Sequence, residues 1–253
     1  MSQLIRPPLW IGQVIFLFAL GALWQALANY GFINPILIGD PVGILLFLYN
    51  GLFTNYTLVP HLLWTLWATV SAFLIGSILG IGVGSLFVAY PGLEKFLEPI
   101  FAGLNALPRV ALAPLFLLWF GLGISSKIAL GASLTFFIVL SGTVAGARSV
   151  DSDHLTLSRM LGATSTQIFT QITLPGAVPT LFSSLRLGLI YALLGVVAGE
   201  LLAARAGLGQ ALSLFAGSFQ TNGVFAVLFL LALIGSCILA AMNRVEARFL
   251  RWK

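Results

Sequence analysis

Three charged residues of this sequence lie inside or beside long apolar runs: Arg109, Arg186 and Glu200. A charge in hydrocarbon is costly, so residues of this kind mark function by default. An arginine that faces a polar pathway would attract an anionic solute, whereas one in a charge pair or with a snorkelling side chain would fix helix packing. Glu200 would repel anions, which favours a structural or gating role. These three residues are the candidate pathway residues.

Polar residues also gather in one loop between two apolar runs, Ala147–Pro175, which we call the polar loop. Asp151 or Ser152 is expected to cap a helix that begins near Asp153, because acidic groups are favoured at the positive end of a helix. Gly162 can adopt a left-handed conformation, which would end that helix. The pattern predicts a rigid loop rather than coil.

A second helix is predicted over 165–172, after which Pro175 would start the next apolar run. The first helix of the polar loop offers an apolar contact surface with a basic residue at its edge. The surface consists of Leu155, Leu157, Met160 and Leu161, and the basic residue is Arg159.

The composition is that of a helical membrane protein. Of 253 residues, 59% are hydrophobic and 8% are charged, against about 25% charged in an ordinary soluble domain. No Asp, Glu, Lys or Arg lies between Asp40 and Glu94 or between Arg205 and Arg244. A spanning helix needs about 20 apolar residues, whereas a β-barrel would alternate apolar and polar residues in segments of roughly ten. The sequence predicts an all-α polytopic membrane protein.

The gaps between charges and turn signals predict six transmembrane helices, at about 9–28, 61–89, 96–120, 125–146, 176–203 and 223–243. The first is expected to be an uncleaved helix, because it is longer than the apolar core of a secretion signal. The third contains Pro99, Pro108 and Pro114, and proline tends to kink a helix. The short apolar run Val42–Tyr49 predicts an interfacial helix rather than a span.

The second predicted span carries glycines at positions 76, 80, 82 and 84, which suit close contact between membrane helices. It opens at His61, which is expected to be an interfacial hydrogen-bonding residue rather than a pH sensor.

Basic residues concentrate on one predicted side of the membrane. Arg6, Lys95, Arg148, Arg159, Arg244, Arg248, Arg251 and Lys253 fall in cytoplasmic segments, and Lys127 and Arg205 fall in outer loops. This bias follows the positive-inside rule and places both termini and the polar loop in the cytoplasm. The net charge of +5 is thereby explained by topology, without nucleic acid as a partner.

Several motifs occur in one order along the chain. Gly162 is followed after nine residues by Ile172-Thr173-Leu174-Pro175, and the third span reads Leu107-Pro108-Arg109-Val110-Ala111-Leu112-Ala113-Pro114 and ends in Trp119-Phe120-Gly121. Ser184-Leu185-Arg186, Val197-Ala198-Gly199-Glu200-Leu201 and Gly207-Leu208-Gly209 follow. Over about residues 60–240 the chain resembles permease subunits of ABC importers, in the branch for nitrate, aliphatic sulfonates and taurine.

The resemblance implies a type I importer permease fold, with 1–253 as one transmembrane domain that has a core at 60–243 and a cytoplasmic coupling loop at 147–175. It further implies a bacterial inner-membrane location, a second permease copy (most simply as a homodimer), two ABC ATPase subunits and a periplasmic or lipid-anchored solute-binding protein. ATP and Mg²⁺ would be used by the ATPase, since this chain has no G-x-x-x-x-G-K-[ST] motif. No catalytic or metal-binding residue is expected in it.

The same resemblance assigns the docking of the ATPase to the polar loop. The residues are Asp153, Leu157, Arg159, Met160, Leu161, Gly162, Ala163, Ile172, Leu174 and Pro175. Loops of this family usually begin with Glu-Ala-Ala before the glycine, where this chain has Thr156-Leu157-Ser158. Asp153 or Arg159 is therefore expected to supply the polar contact in place of the glutamate.

Two other classes of membrane protein would leave different patterns in the sequence. A secondary carrier driven by an ion gradient predicts paired acidic residues at mid-membrane or inverted repeats, and the sequence offers only Glu200 for such a pair. A membrane-embedded enzyme would need His, Asp or Cys clustered at one depth, and the sequence shows no such cluster. The sequence favours an importer of a small anion and leaves the identity of the solute open.

Overall fold

The computed structural model describes residues 9–32, 34–150 and 152–249, and the regular elements in these ranges are helices. The α-helices are α1 (Leu9–Asn29), α2 (Pro35–Ile38), α3 (Pro41–Tyr49), α4 (Val59–Ala89), α5 (Pro91–Ala106), α6 (Ala113–Phe120), α7 (Ile124–Arg148), α8 (Ser152–Met160), α9 (Ser165–Ile168), α10 (Leu174–Leu202), α11 (Leu208–Gly217) and α12 (Thr221–Phe249). Asn50–Thr54 and Phe169–Thr173 are π-helical, and Arg109–Leu112 is a 3₁₀ turn. Arg6, Asp151, Arg251 and Lys253 lie outside the described residues. The all-α prediction is confirmed.

The long helices lie where spans were predicted. Ile11–Asn29, Val59–Ala89, Ile124–Arg148, Thr166–Leu202 and Thr221–Arg248 are long and apolar enough to cross a membrane. A sixth span results if α5 and the segment Arg109–Phe120 count as one, bent by 81°. Even in Ile124–Arg148, only 39% of the most apolar window is buried inside the chain. Much of the apolar surface is thus available to lipid or to another chain.

The predicted kink in the third span is confirmed, and it lies at one of the three prolines. Leu107 has an extended backbone with ψ 134° directly before Pro108, because the residue before a proline is disfavoured in the α region. Pro99 lies within α5, and Pro114 occupies the first turn of α6, where a proline needs no backbone donor. The bend therefore places Arg109 at the start of a separate short segment.

The chain divides into two compact units. The first takes in the described part of Met1–Val59 together with Ala211–Leu231. Its short apolar run is helical, as predicted, and Asp40 caps this helix α3 by accepting a hydrogen bond of 2.7 Å from the amide of Gly43. The side-chain amide of Asn222 donates to the other oxygen of Asp40 at 2.9 Å. Two segments far apart in sequence are thereby joined.

The second unit comprises Pro60–Gln210 and the described part of Ala232–Lys253. Small residues let α4, α7 and α10 approach closely around a buried cluster, which consists of Ala68, Ala72, Ala132, Ala192 and Val196. A β-carbon at Gly80 would lie 2.8 Å from the carbonyl oxygen of Phe136 in α7, and Gly76 and Gly84 are similarly close to that helix. Gly82 has open space beside it, since its spacing places it away from this face.

Candidate functional site

The first half of the polar loop is a short helix that ends at a glycine, as predicted. Helix α8 begins at Ser152, one residue before the expected position. Gly162 has φ +83°, and the amide of Ala163 donates to the carbonyl of Ser158 at 3.0 Å. A glycine suits this position because a β-carbon destabilises the left-handed conformation.

The second half of the polar loop begins with a reciprocal cap. The amide of Thr164 donates to Gln167 Oε1 at 2.8 Å, and the amide of Gln167 donates to Thr164 Oγ1 at 3.3 Å. This arrangement is a capping box, which satisfies donors at the start of a helix. The loop therefore secures both of its turns with contacts between residues that are close in sequence.

The prediction of a separate span that starts at Pro175 needs correction. Thr166–Leu202 forms one continuous helical segment of 37 residues, with the π turn Phe169–Thr173 just before Pro175. A proline inside a helix removes one backbone bond and crowds the preceding turn, and the wider π turn accommodates it. The second half of the polar loop is thus a direct extension of α10.

The predicted contact surface of the polar loop is largely exposed. Leu157, Met160 and Leu161 are 56%, 82% and 78% exposed. Arg159 and Asp153 are also exposed, whereas Leu155 is half-buried. Farther along, Leu174 is exposed and Ala163, Ile172 and Pro175 are half-buried. Bulky apolar side chains are thus exposed together on α8 and in the turn that follows it.

Arg148, at the end of α7, forms an ion pair with Glu94 of α5. The Arg148 Nη2 atom lies 2.6 and 2.7 Å from the two carboxylate oxygens. The arginine side chain is 67% exposed, so the pair contributes little to stability. It joins the base of the polar loop to the start of the bent third span.

Arg109 lies beside a cavity between α5 and α7. Its guanidinium carbon lies 4.0 Å from the ring centre of Phe137, within the range of a cation–π interaction, and the group also donates to Asn105. Phe137 and Asn105 line a cavity of about 420 Å³, together with Phe101, Glu98 and the Glu94–Arg148 pair. The cavity combines aromatic rings with charges of both signs.

Arg186, the second candidate pathway residue, donates to the carboxylate of Glu246 in α12. Both side chains are partly buried, with 34% and 21% exposed. The structure thus shows the ion pair that is expected if Arg186 fixes helix packing. The ion pair connects α10 to the described part of the C-terminal helix.

Glu200, the third candidate, is 1% exposed and lies near the end of α10. It accepts hydrogen bonds of 2.9 Å from the hydroxyl of Thr65 and from the amide of Gly209. His61 Nδ1 lies 3.1 Å from both the amide nitrogen and the carbonyl oxygen of Gly207, which confirms the prediction that it is a hydrogen-bonding residue. These contacts match the structural role that the sequence favours for Glu200.

The assignment of Lys127 to an outer loop is wrong. Lys127 lies in α7 and is 1% exposed. Its Nζ atom donates to the carbonyl of Leu122 at 2.9 Å and to the hydroxyl of Ser126 at 3.2 Å. Its charge interacts with that of Glu200, and a buried charge of opposite sign reduces the cost of burying either group. The sequence contains one hint that Lys127 and Glu200 lie near each other: a basic and an acidic residue occur near the ends of two successive predicted spans.

Comparison with known proteins agrees with this architecture. The family of binding-protein-dependent transport system inner membrane components matches residues 72–251. The aliphatic sulfonate permease protein SsuC of Bacillus subtilis is 31% identical over 244 residues, which cover 96% of this chain and 88% of the relative. The formylaminopyrimidine permease protein ThiX of Halalkalibacterium halodurans is 30% identical, with 94% of each chain covered.

A solved structure has the same fold. An inward-facing form of the MetNI methionine ABC transporter contains a chain that superimposes with a TM-score of 0.68 at 23% identity, covering 77% of this chain and 96% of that one. The family match covers most of the sequence, and the described residues include at least five helices long and apolar enough to cross a membrane. This chain therefore belongs to the family of binding-protein-dependent transport system inner membrane components, and it is a permease subunit of an ABC importer.

Proposed function

We propose that this chain and a second copy of it enclose a membrane pathway for a small anion, and that ABC ATPase subunits bind their polar loops. The observation that carries the proposal is the exposed apolar surface of α8 on a loop whose turns are secured internally. A solute-binding protein delivers the solute at the other membrane face. ATP and Mg²⁺ are held by the ATPase.

The ATPase contact is built around Leu157, Met160 and Leu161. Burial of these side chains in a groove of the ATPase would contribute roughly 1.5–3 kcal/mol each. Gly162 fixes the direction in which the chain leaves α8, and Asp153 or Arg159 supplies the polar contact. Ala163, Ile172, Leu174 and Pro175 support the loop from its second half rather than from its tip.

Transport follows from movement of the polar loops. Closure of two ATPase subunits on ATP draws the two loops together, and each loop continues into its α10 without a break in the helix. The movement turns the pathway outward, and hydrolysis returns it inward. A loop of flexible coil would absorb such a displacement instead of passing it on.

The orientation in the bacterial inner membrane follows the distribution of basic residues. Eight Lys and Arg residues lie in segments assigned to the cytoplasm. Because Lys127 is buried in α7, Arg205 is the remaining basic residue of the two assigned to outer loops. The excess of basic residues on the cytoplasmic side is therefore larger than the sequence count indicated, and it supports cytoplasmic termini and a cytoplasmic polar loop.

Among the candidate pathway residues, Arg109 is the one we place next to the solute. It flanks a cavity large enough for a small organic acid, and its guanidinium group can pair with a carboxylate or sulfonate. Arg186 and Glu200 keep helices in place, because each already has a charged or hydrogen-bonding partner. The relative SsuC is named for aliphatic sulfonates, which are anions of this kind.

The docking proposal is tested by co-expression with an ABC ATPase from the same genome, followed by affinity purification from detergent. Leu161→Asp should reduce the recovered ATPase at least tenfold, because a charge would be buried in the contact. Gln171→Asp is the matched control, since it places the same charge at an exposed position of the polar loop away from α8. Equal recovery with both variants would contradict the proposal.

The solute proposal is tested by uptake in a strain that depends on the assembled importer, with radiolabelled sulfonates and nitrate as probes. Arg109→Gln should lower uptake of these anions while the amount of assembled complex stays constant. Arg109→Lys keeps the charge and is expected to retain part of the uptake. Unchanged uptake and substrate range in Arg109→Gln would remove Arg109 from the pathway.

A further inference from the structure

Three consecutive backbone amides, in the turn that leads from α10 into α11, each donate to a different side chain. The amide of Gly207 donates to His61 Nδ1 at 3.1 Å, that of Leu208 to Thr65 Oγ1 at 2.8 Å, and that of Gly209 to Glu200 Oε2 at 2.9 Å. We call His61, Thr65 and Glu200 the turn cap. It satisfies donors at the start of α11, which have no partner within that helix.

The members of the turn cap are also joined to each other. The Thr65 hydroxyl lies 2.9 Å from both carboxylate oxygens of Glu200, so it accepts from Leu208 and donates to the carboxylate. Thr65 is completely buried and Glu200 nearly so. A buried polar network with every member satisfied specifies one arrangement of the backbone around it. The turn at 207–209 is therefore held in a single position.

Lys127 connects the turn cap to a third helix. Its charge interacts with that of Glu200, and its side chain passes over Gly199, where a β-carbon would lie 3.3 Å from Lys127 Cγ. Helices α4, α7 and α10 thus each contribute a polar or charged residue to the same buried place. A carboxylate nearby reduces the cost of burying a lysine, which favours keeping α7 packed against α10 at this end.

The turn cap lies at the far end of the helix that starts in the polar loop. The segment Thr166–Leu202 is one helix, and its length from Thr166 to Glu200 is about 50 Å at 1.5 Å per residue. Arg205, in the connection just before the capped turn, is exposed. The connection follows α10 directly in the chain, and the turn cap fixes the turn beyond it, so that a displacement of α10 moves the turn as well.

We infer that Thr65 and Glu200 are positioning residues for transport, which fasten the turn at 207–209 to α10 so that movement of the polar loop is passed to the opposite membrane face. The inference rests on the proposed docking of the ATPase to the polar loop. It assigns a function to a buried site that does not contact the solute. Without the turn cap, ATP hydrolysis would continue while the turn no longer followed α10.

The test measures movement directly and needs no identified solute. In the purified complex with its ATPases, Cys237, the single cysteine of the sequence, is replaced by serine so that a spin label attaches only at Arg205→Cys. The distance between the labels of the two permease copies is then measured by pulsed electron paramagnetic resonance, without nucleotide and with ADP-vanadate and Mg²⁺. ATP hydrolysis and ATPase recovery are measured on the same samples.

In the otherwise unchanged chain, the label distance should shift when nucleotide is added. Thr65→Val removes the hydroxyl at nearly constant volume and should reduce this shift to less than about half, with ATP hydrolysis maintained. Thr65→Ser should restore it. The matched control is Thr69→Val, because Thr69 is completely buried one turn along α4 and its hydroxyl has no hydrogen-bond partner.

Two results would overturn the inference: a full shift in Thr65→Val, or an equal loss in Thr69→Val, which would indicate general packing. If Thr65→Val does not assemble, Glu200→Gln with Lys127→Met decides the question. This pair removes both charges and keeps an oxygen for the amide of Gly209, so the shift should persist, and its loss would contradict the hydrogen-bonded cap. Failure of the unchanged chain to recover its ATPase would instead refute the docking proposal.

Discussion

The polar loop and the turn cap lie at opposite ends of one helical segment and are built in opposite ways. The loop exposes apolar side chains and secures its turns with contacts between residues close in sequence, such as Thr164 with Gln167. The turn cap joins polar groups of α4 and α10, with Thr65 and Glu200 buried and Lys127 of α7 packed nearby. The first region is suited to bind a partner, and the second is suited to hold helices of the same chain together.

The largest effect is expected from Glu200→Ala, which leaves Lys127 without its opposing charge and two donors without their acceptor. Leaving a buried donor without its acceptor costs about 1–3 kcal/mol, and two such donors are affected here. Thermal unfolding of the purified chain in detergent should show a large loss of stability. Adding Lys127→Met to the Glu200→Ala chain should restore part of the lost stability. If it restores none, the charges of Lys127 and Glu200 do not stabilise each other.

A smaller effect, and a direct comparison of the two regions, is expected from replacing their glycines by alanine. Gly207 has φ +120°, and its β-carbon would lie 2.6 Å from Glu200 Oε2, so Gly207→Ala should disrupt the turn cap. Gly162 has φ +83° with open space around it, so Gly162→Ala should cost only the about 1–2 kcal/mol of a left-handed residue. Circular dichroism melting of both variants gives the comparison. An equal loss of stability in both variants would contradict the expectation that alanine is less well tolerated in the crowded turn at Gly207 than in the open turn at Gly162.

The smallest effect is expected from Thr164→Ala, which removes half of the capping box. Loss of such a cap costs about 1 kcal/mol. Hydrogen exchange measured by mass spectrometry should increase in the peptides that cover α9 and remain unchanged in those that cover 203–210. Faster exchange at 203–210 as well would show that the two regions are coupled even without nucleotide.

The sequence predicted the polar loop well because its structure depends on local rules. The apolar pattern of the short helix and Gly162 determine α8 and its end, and both can be identified from neighbouring residues. The spans were equally accessible, since hydrophobic length alone identifies them. The sequence predicted a kink at one or more of three prolines. The structure places the bend at Pro108, where the preceding residue Leu107 has an extended backbone.

The turn cap was not predicted, because its members come from positions that are far apart in the sequence. Lys127 was assigned to an outer loop on the basis of charge counting, and nothing near it in the sequence indicates that it lies close to Glu200. His61 and Thr65 are ordinary residues at the start of a span until the packing of α4 against α10 brings them to Gly207 and Leu208. Contacts of this kind require the tertiary structure.

The π turn at Phe169–Thr173 has a consequence for how this protein can vary. A π turn holds one residue more than an α-helical turn, so deletion of a single residue there would leave regular α-helix on both sides. Because the wider turn contains the extra residue, the deletion would leave α8 and its apolar surface facing nearly the same way around the axis of α10. A deletion in the regular α-helix that follows would instead rotate α8 by about 100°, so the π turn is the place in this segment where a single-residue length change needs no matching change in the ATPase.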